Sequence, residues 1–84
     1  EVTAGPHGDF AFYRMRKVGW TTPDALQVIR RRWQVDFRRM NYGGLKDRHA
    51  ETIQYLTIFE GPRRDLSQDG IDVRYLGQVR EPYG

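Results

Sequence analysis

The chain has 84 residues, 38% hydrophobic, 30% charged and 13% aromatic, with a formal net charge of +3. That length bounds it to one small domain with a modest core, and its aromatic content and mixed charge exclude a disordered chain. It has no cysteine for disulfides or thiolate sites, its two histidines, His7 and His49, show no zinc spacing, and no apolar run approaches the roughly 18 residues of a membrane span. These features predict a cytoplasmic chain with no membrane partner, no metal and no cofactor.

From Glu1 to Asp9, two glycines, a proline and no apolar periodicity predict a loop. Phe10 to Val18 alternates Phe10, Phe12, Arg14 and Arg16 with Ala11, Tyr13, Met15 and Lys17, a strand whose later half faces water or an anion. Gly19 and Trp20 end it. Thr21-Thr22-Pro23-Asp24 then reads as a helix start, with Thr22 as cap, Pro23 at the first helical position and Asp24 at the positive helix end. The helix is expected to run to about Val35. Leu26, Ile29 and Trp33, with Ala25 and Val28, form its apolar stripe, while Arg30 and Arg31 fall towards the other side. Trp33 reads as core, not as a platform for a base.

Asp36 to Tyr42 reads as a short strand or connection, broken by Gly43-Gly44. Thr52 to Phe59 is apolar on both alternating sides, as a central strand requires. Gly61-Pro62 ends it, Arg63 to Gly70 reads as an exposed loop, and Ile71 to Val79 as a last strand. The inventory is α+β: an antiparallel or mixed sheet of three to four strands with one amphipathic helix and exposed edges.

Charge is distributed unevenly. Arg14, Arg16, Lys17, Arg30, Arg31, Arg32, Arg38, Arg39, Lys46 and Arg48 place ten cations in the first 48 residues, a clustering that suits phosphate as well as a solvated surface. Within it, Asp47 lies between Lys46 and Arg48, with His49 next, just after Gly43-Gly44 and ahead of Thr52 and Gln54. Nearby positive charge favours an ionised carboxylate, and the glycines let a bulky anion approach the backbone. Asp47 equally suits a turn-capping role, because Asp after a Gly-rich turn often bonds a neighbouring N–H. His49 suits either a phosphate or a backbone carbonyl, and Gln54 is better placed to orient the loop than to touch a ligand.

The run Gly44-Leu45-Lys46-Asp47-Arg48-His49-Ala50, followed by Thr52 and Gln54, closely resembles the signature of the tRNA pseudouridine synthase D (TruD, Pus7-like) family. Arg14 to Lys17, Gly19, Thr21 or Thr22 ahead of a helix, and Leu76-Gly77-Gln78-Val79-Arg80 resemble flanking segments of the same catalytic domain in the same order. Glu51 departs, standing where such sequences commonly carry an apolar residue. The resemblance implies isomerisation of a tRNA uridine to pseudouridine, of the kind directed at position 13. It implies Asp47 as the catalytic aspartate, Lys46, Arg48, His49, Arg14 and Lys17 as RNA contacts, and Gly44, Thr52 and Gln54 as support for the motif. A target uridine has to leave its stack to be reached, so a basic cleft with an aromatic partner is expected around the acid.

Family members are several times longer. They carry an acidic-aromatic strand before the present start and an Asn- and Phe-containing motif beyond the present end. The resemblance therefore implies that residues 1–84 are a single-domain fragment, the N-terminal part of a pseudouridine synthase catalytic domain. Surfaces on Ile53, Tyr55, Ile58 and Phe59 would then be exposed, or covered by the rest of that domain or by another chain. Two other classes fit the residues. A non-catalytic RNA-binding module would use the basic first half with Tyr13, Tyr42 and Tyr55, leaving Asp47 structural, and an assembly fragment would use open strand edges. A metal-dependent nuclease fits poorly, since Asp24, Asp36, Glu51, Glu60, Asp65, Asp69 and Asp72 form no ligand cluster in sequence.

Overall fold

The computed structural model describes Gly5, residues 7–43 and residues 51–83. In chain order these form strand β1 (Phe10–Val18), helix α1 (Thr22–Trp33), a 3₁₀ turn (Phe37–Arg39), and strands β2 (Met40–Tyr42), β3 (Glu51–Phe59), β4 (Leu66–Gln68) and β5 (Ile71–Val79). The strands make one sheet in the order β2-β3-β1-β5-β4, with every neighbouring pair antiparallel. Thus β1 is the middle strand. The architecture is α+β with one helix, as the residue pattern predicts, and with five strands instead of three or four.

The additional strand is β4, inside the stretch read as loop. Its one apolar residue, Leu66, is buried, and Gln68 pairs with Ile71 across the two-residue turn Asp69-Gly70, with Gly70 at φ +79°. A three-residue edge strand leaves almost no periodicity to read, and the Asp-Gly pair that builds the hairpin reads equally well as loop.

Helix α1 starts one residue earlier than expected. Thr21 is the N-cap, its Oγ1 accepting from the Asp24 N–H at 3.2 Å, so Thr22 is freed for another role. The helix ends at Trp33 because Gln34 adopts a left-handed conformation, φ +54°, and Val35 turns back into the core. Arg30, Arg31 and Arg32 sit in the last turn, where the helix dipole favours cations.

Alternation along the strands gives the sheet two faces. Against α1 lie Ala11, Tyr13, Met15, Leu56, Ile58, Ile71 and Val73, packed on Ala25, Leu26 and Ile29. Truncating Leu26 or Ile29 to Ala would cost about 2–5 kcal/mol of stability in such a core. Tyr13 is fully buried, with its hydroxyl donating to the Pro62 carbonyl at 2.6 Å and its ring 5.2 Å from Trp33. Burial pushes its phenol pKa well up, and these contacts make it a core residue with no access to a base. Trp33 is likewise half-buried against the core. Ile58 also belongs to this core and is fully buried, unlike the exposure expected of it, because its register partner is Ala11 on the helix face.

Among the described residues no helix lies over the opposite face. It carries Phe10 and Phe59 edge to face at 5.4 Å, and Phe12 stacked on Tyr55 at 5.7 Å. Ile53 is 53% and Phe59 37% exposed there. A bulge in β5 lets Gly77 face Phe12 while Tyr75 faces Tyr13, so Leu76 is left exposed. Among the described residues no helix is long and apolar enough to cross a membrane.

Candidate active site

Residues 44–50 hold the acid that the sequence singles out. Asp47, Lys46, Arg48, His49 and Gly44 therefore lie outside the described residues. What the structure does show is how the chain is held on both sides of that run, at the end of the sheet where β1 finishes, β3 begins and α1 starts.

On the near side, Gly43 extends β2 by one position, its N–H donating to the Tyr55 carbonyl at 3.0 Å. Its own carbonyl accepts from Gln54 Nε2 at 3.1 Å, and Gln54 Oε1 accepts from the Thr22 hydroxyl at 2.8 Å. The hydroxyl fixes which end of the amide points to Gly43, since an amide whose oxygen takes a donor presents its NH₂ elsewhere. Gln54 is 3% exposed on the helix face, where two neutral bonds satisfy it. Read from the sequence as orienting the loop, Gln54 bonds the carbonyl of the residue that precedes it. Thr22, read from the sequence as a cap, is a residue that no local sequence signal places beside Gln54.

On the far side, Thr52 stands opposite Lys17 in the β1–β3 register, on the same face as Gln54. Its Oγ1 is buried and finds no hydrogen-bond partner among the described residues. Lys17 is 1% exposed, and its Nζ donates to the Trp20 carbonyl at 3.0 Å. Among the described residues no carboxylate pairs with it. The family resemblance assigns Lys17 to RNA, and in the structure its side chain is buried. Trp20 is anchored in turn, its indole N–H donating to the Asp69 carbonyl at 3.2 Å across the Gly70 turn.

Arg14 and Arg16 are exposed on the opposite face. Arg14 lies in register between Tyr55 and Arg74, next to the Phe12–Tyr55 stack, while Arg16 faces Ile53 and Asp72. Arg16 and Asp72 also border an open cavity of about 240 Å³ with Val18, Ser67, Gln68, Gly70 and Ile71. That cavity lies towards β4. The structure thus brings Lys17, Thr22, Thr52, Gln54 and Gly43 together on one face and leaves Arg14 on the other.

Several cations that the sequence groups with phosphate binding have structural partners. Arg39 donates to the carbonyls of Phe59 and Glu60 at 2.9 and 3.0 Å, closing the end of β3 where Glu60 takes φ +54°. Arg38 pairs with Asp36 at 3.1 Å on the surface, which lowers the Asp36 pKa through the side-chain hydrogen bond, and Arg32 reaches Gln68 at 2.7 Å. Among the described residues no group of three His, Asp or Glu side chains could hold a metal ion.

Residues 1–82 match the family model for tRNA pseudouridine synthase D (TruD). A protein of Nanoarchaeum equitans named as a tRNA pseudouridine synthase D is 28% identical over 78 residues, covering 93% of this chain and 21% of that protein. Another so named, from Methanococcus maripaludis, is 30% identical over 83 residues, covering 98% and 21%. The crystal structure of a TruD protein from Methanosarcina mazei superposes with a TM-score of 0.89 at 25% identity, over 98% of this chain and 20% of that one. The chain spans about a fifth of the length of these relatives.

Proposed function

Because the chain belongs to the tRNA pseudouridine synthase D family, we propose that it is the aspartate-bearing part of an enzyme that converts a tRNA uridine to pseudouridine, with Asp47 as its catalytic carboxylate. The observation that carries this reading is the match of residues 1–82 to the family, spanning the motif Gly44 to Ala50. In the reaction the bond from ribose C1′ to N1 breaks, the base turns, and a bond from C1′ to C5 forms. C5 loses its proton and N1 gains one. The routes open to a carboxylate are attack on C1′, attack on the base and removal of a ribose proton, and all need it ionised.

The site's geometry supports that requirement. A buried ammonium is costly unless an anion compensates it, and Lys17 sits beside the strand that leads out of the aspartate run. Our reading makes Asp47 that anion and Lys17 the charge that keeps it ionised. Lys46, Arg48 and His49 are assigned to the tRNA backbone, with Arg14 on the opposite face as a further phosphate contact. Position 13 of the tRNA is the target that the family likeness suggests. We assign residues 1–84 to the N-terminal part of a larger catalytic domain, whose remainder, or another chain, covers the exposed sheet face.

The test is pseudouridine formation in unmodified tRNA by the complete open reading frame, read by mass spectrometry and carbodiimide mapping. Asp47→Asn should abolish product while tRNA affinity stays equal or rises slightly, since one negative charge near phosphates is gone. No product from either form, with tRNA binding intact, would leave a non-catalytic RNA-binding module.

A further inference from the structure

The segment after β5 does not leave the sheet. It crosses the face opposite α1, over β1, and Tyr83 lands on β3, where its N–H donates to Thr57 Oγ1 at 3.0 Å. The ring completes an aromatic cluster with centroids 6.0 Å from Phe12 and 6.2 Å from Tyr55. It also lies against Gly43: a Cβ on that residue would stand 2.6 Å from Tyr83 Cε2, closer than real Cβ contacts come.

Gly43 is therefore gripped from both faces of the sheet. From the helix side Gln54, set by Thr22, holds its carbonyl. In the plane of the sheet Tyr55 holds its N–H, and from the other side the Tyr83 ring covers its Cα. We infer that Tyr83, with Gln54 and Thr22, is a positioning residue for the reaction, because the residue they fix is the one from which the aspartate run departs. The inference rests on the reading of Asp47 as the catalytic carboxylate. It explains why position 43 is glycine without any appeal to backbone freedom: a side chain would displace the ring that holds the strand end. Misplacing a reacting group by about 1 Å can cost on the order of a hundredfold in rate, so a grip on the preceding residue acts on turnover and not on tRNA affinity.

Kinetics and hydrogen exchange on the complete open reading frame test this, with Asp47→Asn as the control for the catalytic reading. Tyr83→Ala should lower kcat by roughly 10- to 100-fold with KM and tRNA Kd within about twofold. Tyr83→Phe should stay near wild type, since the contacts described above are made by the ring and the backbone. Thr22→Val, which removes no core volume, should lower kcat in the same direction by freeing the Gln54 amide to turn. Exchange over peptides spanning residues 40–56 should rise above wild type in Tyr83→Ala and Thr22→Val. Unchanged kcat and exchange in both variants would overturn the inference, as would a loss of tRNA affinity matching the loss of rate in Tyr83→Ala, which would make Tyr83 a tRNA contact. If wild type makes no pseudouridine, the catalytic reading fails, and exchange alone decides whether Tyr83 holds Gly43.

Discussion

Replacing Lys17 by Met separates two accounts of a buried ammonium by the sign of the result. Met keeps most of the side-chain length among Met15, Thr52 and Ile71 and removes only the charge and the bond to the Trp20 carbonyl. That bond is worth about 1 kcal/mol, whereas leaving a charge buried without an anion costs several kcal/mol. If Lys17 had no counter-charge, Lys17→Met would therefore be neutral or stabilising. If Asp47 compensates it, the substitution strands a carboxylate in the interior and costs about 3–5 kcal/mol, as breaking one side of a buried pair does. In a domain of this size 3 kcal/mol lowers the melting temperature by about 12–24 °C. The assay is chemical denaturation at pH 7 of wild type, Lys17→Met, Asp47→Asn and the double variant. We expect a coupling energy of about 2 kcal/mol or more, with the double variant more stable than Lys17→Met alone. In the enzyme, Lys17→Met should also move the acid limb of the pH–rate profile to higher pH, because a carboxylate without its cation titrates higher. A stabilised Lys17→Met, or a coupling below about 0.5 kcal/mol, refutes the pairing.

Tyr13 predicts an alkaline limit to stability. Its phenol is pushed up in the folded state by burial, so its contribution is fully present below the ordinary value near 10.0 and is lost progressively as pH climbs from there towards the folded value. Tyr13→Phe should flatten the stability profile above pH 10 in a pH-dependent melt while costing the hydrogen bond to Pro62, about 1 kcal/mol, at neutral pH. An unchanged alkaline slope would show that the Tyr13 phenol is not the group responsible. Arg39→Met should destabilise by roughly 1–3 kcal/mol through the lost bonds to Phe59 and Glu60 and leave the salt dependence of tRNA binding alone. Arg48→Met should do the reverse, weakening tRNA binding less as salt rises. The 84-residue chain by itself should associate with increasing concentration through Val18, Ile53 and Phe59, exposed at 46%, 53% and 37%. Sedimentation of wild type against Ile53→Lys checks this, and a wild type that stays monomeric at every concentration speaks against it.

Local pattern carried most of the fold. Phe10–Val18 and Ile71–Val79 have the bounds that alternation predicts, and Thr52–Phe59 differs only by the addition of Glu51. What escaped depends on partners far away in the chain. Thr21 and Thr22 are equivalent as caps by residue type, and only the packing of Gln54, 32 residues later, decides that Thr22 bonds it while Thr21 takes the helix end. Lys17 alternates with Ala11, Tyr13 and Met15 along β1, yet its charge led to reading the later half of that strand as facing water or an anion. In the structure Lys17 is buried on the same face as Met15 and Tyr13.

The same contrast separates the chemistry from what holds it. Residues 44–50 form one contiguous run, and a motif of that kind is legible from sequence because its members are chain neighbours. The grip on Gly43 comes from positions 11, 12 and 40 residues further on, two in β3 and one after β5, none of which carries a chemical signature of its own. Gln54 reads as one polar residue in an apolar strand and Tyr83 as one aromatic residue after the last strand. They become part of one device only because β3 is the neighbour of both β2 and β1, which puts the end of β2 within reach of the helix side and of the chain that crosses the open side. On the reading of Asp47 as the catalytic carboxylate, such long-range holding would serve it, since contacts made across the sheet yield less to local fluctuation than those within a turn.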